Sequence, residues 1–239
     1  MSNVETPVVA KPVDDSEEVA TPERLVLNDT ASAAASALVQ QAKAVYISYK
    51  CGDDTEAGRE REPFIDRLDA SLQAAGYDVR RDKRDVRYKD SILKFMDELG
   101  RGHCIVVVLN NEYLLSRFCM YELVQIYLNH DFHKRIVPVV LPDVVGFTPM
   151  QRLKIVKFWG KQRDQHQQEF AANLGGISPE GFTDFDCVRQ IAQNCDAALS
   201  HVFDMNYLNQ AQLAANDFRL LKQAIGERME EPSAQAERP

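Results

Sequence analysis

The chain has 239 residues, 45% of them hydrophobic and 27% charged, an ordinary globular mixture with room for one domain and tails or for two small domains. A net charge of −8 argues against nucleic acid or an anionic membrane as a general partner and leaves only local basic patches. The five cysteines are odd in number, form no Cys-x-x-Cys pair and mostly lie in apolar runs, so a reduced, cytoplasmic setting is expected rather than a disulfide framework.

Residues 1 to about 29 are rich in Pro, Val, Glu, Asp and Thr without periodicity, and are expected to be a disordered tail. The stretch from Met1 to Ala20 carries no apolar core and is not a signal peptide. An Ala- and Ser-rich stretch from Thr30 reads as a linker helix, which closes a first region at residues 1–43. No apolar run is long enough to span a bilayer, so no membrane contact is expected.

From Ala44 strand and helix patterns alternate. Val45-Tyr46-Ile47-Ser48-Tyr49 is a β-branched and aromatic run ending near Gly52, a first strand. Arg61 to Ala75 carries Phe64, Ile65, Leu68 and Leu72 at helical spacing and stops at Gly76. Tyr77 to Arg80 predicts a short second strand, followed by a charged loop and a helix from about Asp90 to Leu99. Cys104-Ile105-Val106-Val107-Val108-Leu109 is apolar throughout, the pattern of a strand covered on both faces and central in a parallel sheet.

Next comes a helix around Glu122, then a fourth strand from Arg135 to Leu141, in which Pro138 points to a position nearer an edge. Ile155 to Trp159 is expected to supply a short fifth strand. Asp184 to Met205 is an amphipathic helix, and a last helix runs from about Gln210 to Ile225 before a polar tail. The alternation implies an open α/β sheet of about five parallel strands flanked by helices, with ligands beyond the carboxyl ends of the strands. That gathers Tyr49 to Asp54, the loop after Arg81 and the start of the Glu122 helix around one cleft.

Several chemistries of such sheets fail on residues. The turn Lys50-Cys51-Gly52-Asp53-Asp54 is not a dinucleotide fingerprint, and no Walker phosphate loop is present. A phospho-receiver would need an aspartate ending the third strand, which instead runs Leu109-Asn110-Asn111. His130 and His133 lack a completing Cys or Glu, so no metal site is expected. No Ser/His/Asp arrangement stands out.

The informative segment is Phe118 to Leu128, whose only formal charge is Glu122. A carboxylate among such neighbours is costly unless paired. Phe118 and Glu122 stand four residues apart, so a ring and a carboxylate share one helix face. Such a pair suits a nucleotide, the ring stacking a base and the anion holding a sugar; Glu122 also suits the wet edge of a half-buried helix.

Three stretches resemble the Toll/interleukin-1 receptor (TIR) domain, of the kind found in bacterial immune effectors. Tyr46-Ile47-Ser48-Tyr49 resembles its first box. Arg81-Asp82-Lys83-Arg84-Asp85-Val86-Arg87-Tyr88-Lys89-Asp90-Ser91-Ile92 resembles its second box and mobile loop. Tyr113-Leu114-Leu115-Ser116-Arg117-Phe118-Cys119-Met120-Tyr121-Glu122-Leu123 resembles the helix that carries the catalytic glutamate in enzymatic members. Phe158-Trp159 is similar to the weak third box.

The resemblance covers about Ala44 to Asn206, and implies a TIR domain at residues 44–206 with an open flavodoxin-like sheet, followed by a C-terminal helix and tail at 207–239. It implies cleavage of NAD, as substrate rather than cofactor, between nicotinamide and ribose. Glu122 is then the catalytic residue, Phe118 the aromatic flanking nicotinamide, and Ser48 and Tyr49 the pocket wall. The basic stretch Arg80, Arg81, Lys83, Arg84, Arg87 and Lys89 reads either as diphosphate attraction or TIR docking, or as a solvated loop partly balanced by Asp82, Asp85 and Asp90. Lys89 stands where many members have glycine, which bears on the loop's shape and not on Glu122.

The resemblance further implies a cytoplasmic immune or antiphage effector that self-associates through TIR surfaces and answers to an upstream sensor. The products are nicotinamide with ADP-ribose or with a cyclic nucleotide. A non-enzymatic TIR scaffold and a transferase acting on free nucleosides are the two alternatives.

Overall fold

The computed structural model describes residues 44–52, 55–81, 104–129, 131–144, 147–173, 176 and 178–230. The expected tail and linker helix before Ala44, the basic loop beyond Arg81 with Lys89, the helix at Asp90 to Leu99, His130 and the final tail lie outside the described residues.

Five parallel strands form one sheet in the order β2-β1-β3-β4-β5. They are β1 (Ala44–Tyr49), β2 (Asp78–Arg81), β3 (Cys104–Leu109), β4 (Ile136–Val140) and β5 (Leu208–Asn209). This is the expected α/β class, with helices flanking the sheet. Every residue of β1, β3 and β4 is buried, as continuous apolar runs in a doubly covered parallel sheet require. The chain leaves β1 outward to β2 and returns to β3 on the other side, so the switch point lies at the carboxyl ends of β1 and β3.

Alternation along β1 divides the interior. Val45, Ile47 and Tyr49 pack with Phe64, Ile65, Leu68 and Leu72 of α1 (Glu56–Ala74). Ala44 and Tyr46 face the opposite layer with Met120, Leu123 and Ile126. Helix α1 starts on Thr55, whose side chain accepts from the Gly58 N–H at 3.0 Å. The turn after it passes through Gly76 at φ +89°, where a Cβ would be strained, as its stop signal required.

After β3 come α2 (Asn111–Leu115), α3 (Arg117–Leu128) and α4 (Phe132–Arg135), then β4. Pro138 pairs toward β3 opposite Val107, while pairing to β5 begins one residue later at Val139↔Leu208. The missing N–H therefore falls just outside the last two-residue ladder, next to the sheet's edge.

The expected strand at Ile155 to Trp159 is corrected: it lies within α5 (Pro149–Ala172). Thr148 and Gln151 form a reciprocal capping box with Pro149 in the first turn, and that start signal outweighs the β-branched pair Ile155-Val156. The fifth strand is Leu208–Asn209, too short for a periodic signal.

Helix α6 (Pro179–Asp204), capped by Ser178, begins five residues before the expected start. The last expected helix is two, α7 (Gln210–Ala215) and α8 (Arg219–Glu230). Asp217 and Phe218 between them take left-handed φ values of 48° and 57°. The turn delivers the buried Phe218 ring to 5.7 Å from that of Phe64, which offsets the local strain.

Candidate functional site

The site grows from the carboxyl ends of β1 and β3. On β1 Ser48 shares a face with Ala44 and Tyr46, toward α2 and α3, and is 1% exposed. Directly after β3, Asn110 caps α2 by accepting from the Tyr113 N–H at 2.9 Å. The Asn111 N–H donates to Asp143 Oδ2 at 2.8 Å, which holds the loop after β4 against the same helix start. Ser116 then ends α2 and caps α3, so the chain bends between Tyr113 and Glu122. From α5, Trp159 Nε1–H donates to the Leu114 carbonyl at 3.0 Å and anchors α2 from behind.

This framework brings three side chains together. Ser48 Oγ donates to Glu122 Oε2 at 2.5 Å and lies 2.8 Å from the Tyr113 hydroxyl. Glu122 is 4% exposed and Tyr113 is fully buried. Burial first, and then the electrostatic influence of Glu122 and Cys119, push the Tyr113 phenol well above its ordinary pKa, with the Ser48 hydrogen bond acting the other way. One turn before Glu122, Phe118 is 41% exposed. The Arg117 guanidinium sits 4.7 Å above its ring and pairs with Asp184 of α6 at 2.7 Å.

The other two expected site residues lie on the α1 side of the sheet. Tyr49 follows Ser48 by one position, so alternation sends its ring into the α1 layer, where it is 3% exposed. Its carbonyl accepts from the Cys119 thiol at 3.8 Å. Arg81 pairs with Asp66 at 2.7 Å and Asp69 at 3.2 Å, both on α1. Burial opposes its charge, but the hydrogen bond to Asp66 and the neighbouring Tyr49, Asp69 and Asp66 outweigh that and raise its pKa. Thus Ser48, Glu122 and Phe118 gather at α3, while Tyr49 and Arg81 direct their side chains to α1.

Two contributors were given no site role by the sequence, although Tyr113 opens the third stretch. Tyr113 could have been suspected, since a buried tyrosine hydroxyl needs a partner. Arg61 is legible only in three dimensions: its guanidinium donates to Glu112 Oε2 of α2 at 2.8 Å and to the Cys51 carbonyl at 3.3 Å. It therefore ties α1, α2 and the segment after β1 around the switch point. Gly52 completes that segment; its N–H donates to Glu62, and a Cβ there would stand 2.9 Å from the Gly58 carbonyl oxygen.

Two of the cysteines are poor thiol nucleophiles. Burial pushes Cys104 up to about 12 and Cys195 up to about 11, so neither ionises near neutrality. All five cysteines are thiols. Iodoacetamide at pH 8 is expected to leave Cys104 and Cys195 unmodified in the folded protein and to label both in urea, as read by peptide mass spectrometry. The Cys104 shift also sets a sign: above pH 9 the unfolded chain loses this proton first, so stability must fall from pH 9 toward 12.

Among the described residues no group of three or more His, Cys, Asp or Glu could hold a metal ion, and His133 instead packs edge-on to His201 with centroids 4.8 Å apart. No described helix is long and apolar enough to cross a membrane.

Comparison with known proteins adds the following. A family model described as the TIR domain matches residues 45–174. No curated protein matches the chain. Among solved structures, the TIR domains of the activated Roq1 resistosome directly recognizing the pathogen effector XopQ are similar. The identity is 22% over 77% of this chain and 96% of that one, with a TM-score of 0.47.

Proposed function

Because the chain belongs to the TIR domain family, we propose that it is an NAD nucleosidase in which Glu122 supports cleavage of the nicotinamide–ribose bond. The observation that carries this reading is a carboxylate, buried to 4% exposure, at the carboxyl ends of the central strands and one helical turn from an exposed aromatic ring. Nicotinamide in NAD is already cationic. When the C1′–N bond breaks, its electron pair returns to the ring nitrogen and the base leaves neutral, without prior protonation. The difficulty is the ribosyl oxocarbenium left behind, whose positive charge a nearby carboxylate offsets, as in glycosidases. Water capture, with loss of one proton, gives ADP-ribose; capture by the adenine of the same molecule gives a cyclic product.

In this reading Phe118 stacks on the nicotinamide ring and Arg117 occupies the opposite face of Phe118. Phe118→Ala is expected to raise KM for NAD about fivefold or more with little change in kcat, because stacking of about 1 kcal/mol or more is shared by substrate and transition state. Steady-state kinetics over a range of NAD concentrations reads this directly. Activity is expected to rise when copies of the chain self-associate in the cytoplasm under an upstream sensor, as an immune effector would require.

The depth of Glu122 also favours a second reading, a TIR scaffold whose carboxylate is structural and held by Ser48. Incubating concentrated protein with NAD and following products by mass spectrometry separates the two. Nicotinamide with ADP-ribose or a cyclic product supports the nucleosidase. Partner binding without turnover under crowding supports the scaffold. Turnover of free deoxynucleosides in place of NAD would favour a nucleoside transferase.

A further inference from the structure

Three polar side chains are buried in series between the central strands and two helices. Tyr113 is 0% exposed, Ser48 1% and Glu122 4%. The separations along the series are 2.8 Å and 2.5 Å. A serine hydroxyl has one proton and two lone pairs. Its proton goes to Glu122 Oε2, so toward Tyr113 the same oxygen can only accept, and the phenol must donate. The series therefore runs in one direction, from Tyr113 to Ser48 to Glu122, and it keeps that direction with a protonated phenol and an Oε2 that carries no proton. A proton on Oε2 itself would reverse it. Hydrogen bonds aligned in this way polarise one another in a dry interior, which strengthens the terminal bond to the charge.

We propose that Tyr113 and Ser48 are positioning residues for Glu122, a relay that orients its carboxylate and favours the ionised form. This rests on the NAD-cleavage reading and deepens it. Ser48 then serves the carboxylate rather than the substrate, since its one proton is already committed to Oε2. Tyr113, without exposed surface, reaches the chemistry only through Ser48. The backbone supports the same division of labour: β1 alternation sets Ser48 toward α3, and the Asn110 cap holds the first turn of α2 that carries Tyr113.

The test is a double-variant cycle on the full chain, reading kcat and KM for nicotinamide release separately. Ser48→Ala is expected to lower kcat roughly ten- to a hundredfold with KM changed less than about twofold, because the lost bond ends on a charged group rather than on NAD. Ser48→Thr keeps the hydroxyl and is expected to recover most of that loss. Tyr113→Phe is expected to lower kcat severalfold on its own and not at all in the Ser48→Ala background. Additive losses, or losses carried by KM, overturn the relay and leave NAD cleavage standing.

Should Ser48→Ala not fold, Tyr113→Phe alone decides: a lower kcat at constant KM supports the relay and an unchanged kcat overturns it. A parent protein that releases no nicotinamide overturns NAD cleavage instead. The relay is then judged by urea unfolding, where the shifts of the two single variants must not add in the double; full additivity overturns it.

Discussion

Glu122→Gln is expected to cut nicotinamide release by roughly 10²–10³-fold, the effect of removing one preorganised electrostatic partner of a charge-developing transition state. The substitution is chosen for its shape. Glutamine fills the same volume, and its amide oxygen can still accept from Ser48 Oγ, now 2.5 Å from Glu122 Oε2. What disappears is the negative charge. If Glu122 only completes a buried hydrogen-bond set, the variant keeps its rate; if its charge supports the ribosyl cation, kcat falls while NAD still binds through Phe118. Stability is not expected to drop, because a buried carboxylate is costly and its neutral isostere is not. Coupled measurement of kcat and of the urea midpoint therefore separates chemistry from folding. A variant as active as the parent would reject the catalytic role of Glu122.

The largest loss of stability is expected from Trp159→Ala, at about 3–5 kcal/mol, the range for removing a large aromatic from a packed core. Trp159 is 2% exposed, lies edge-on to Phe158 with centroids 5.1 Å apart, and donates to the Leu114 carbonyl at 3.0 Å. Trp159→Phe isolates the hydrogen bond, and its removal is expected to cost about 1–3 kcal/mol because the buried carbonyl loses its partner. Leu114 neighbours Tyr113, so the loosened α2 should also lower turnover in both variants. Urea unfolding gives the energies, and NAD kinetics on the folded fraction gives the second effect. A Trp159→Ala midpoint within error of the parent would contradict the packing assigned to α5 against α2.

Much of the sheet could be read locally. Cys104 to Leu109 announced a doubly covered strand by being apolar at every position, and it is buried at every position. The Phe118 and Glu122 pair was legible because four residues make one helical turn, whatever the helix packs against. Period two along β1 likewise separates Ser48 from Tyr49. These are short-range facts, fixed by backbone geometry and side-chain type.

Which face meets which neighbour was not legible. Ser48 was read beside Tyr49 as one wall, yet only the packing of α3 on one side and α1 on the other made Ser48 the partner of Glu122 and sent Tyr49 and Arg81 elsewhere. Ile155 to Trp159 looked like a strand because β-branched residues suit either element, and the capping box at Thr148 set it as helix. Leu208–Asn209 became the fifth strand only because β4 offered an unpaired edge at Val139 and Val140. Local periodicity determines the kind of element and the residues on each face. Long-range burial and the satisfaction of polar groups determine which faces touch, and so which hydroxyl reaches Glu122.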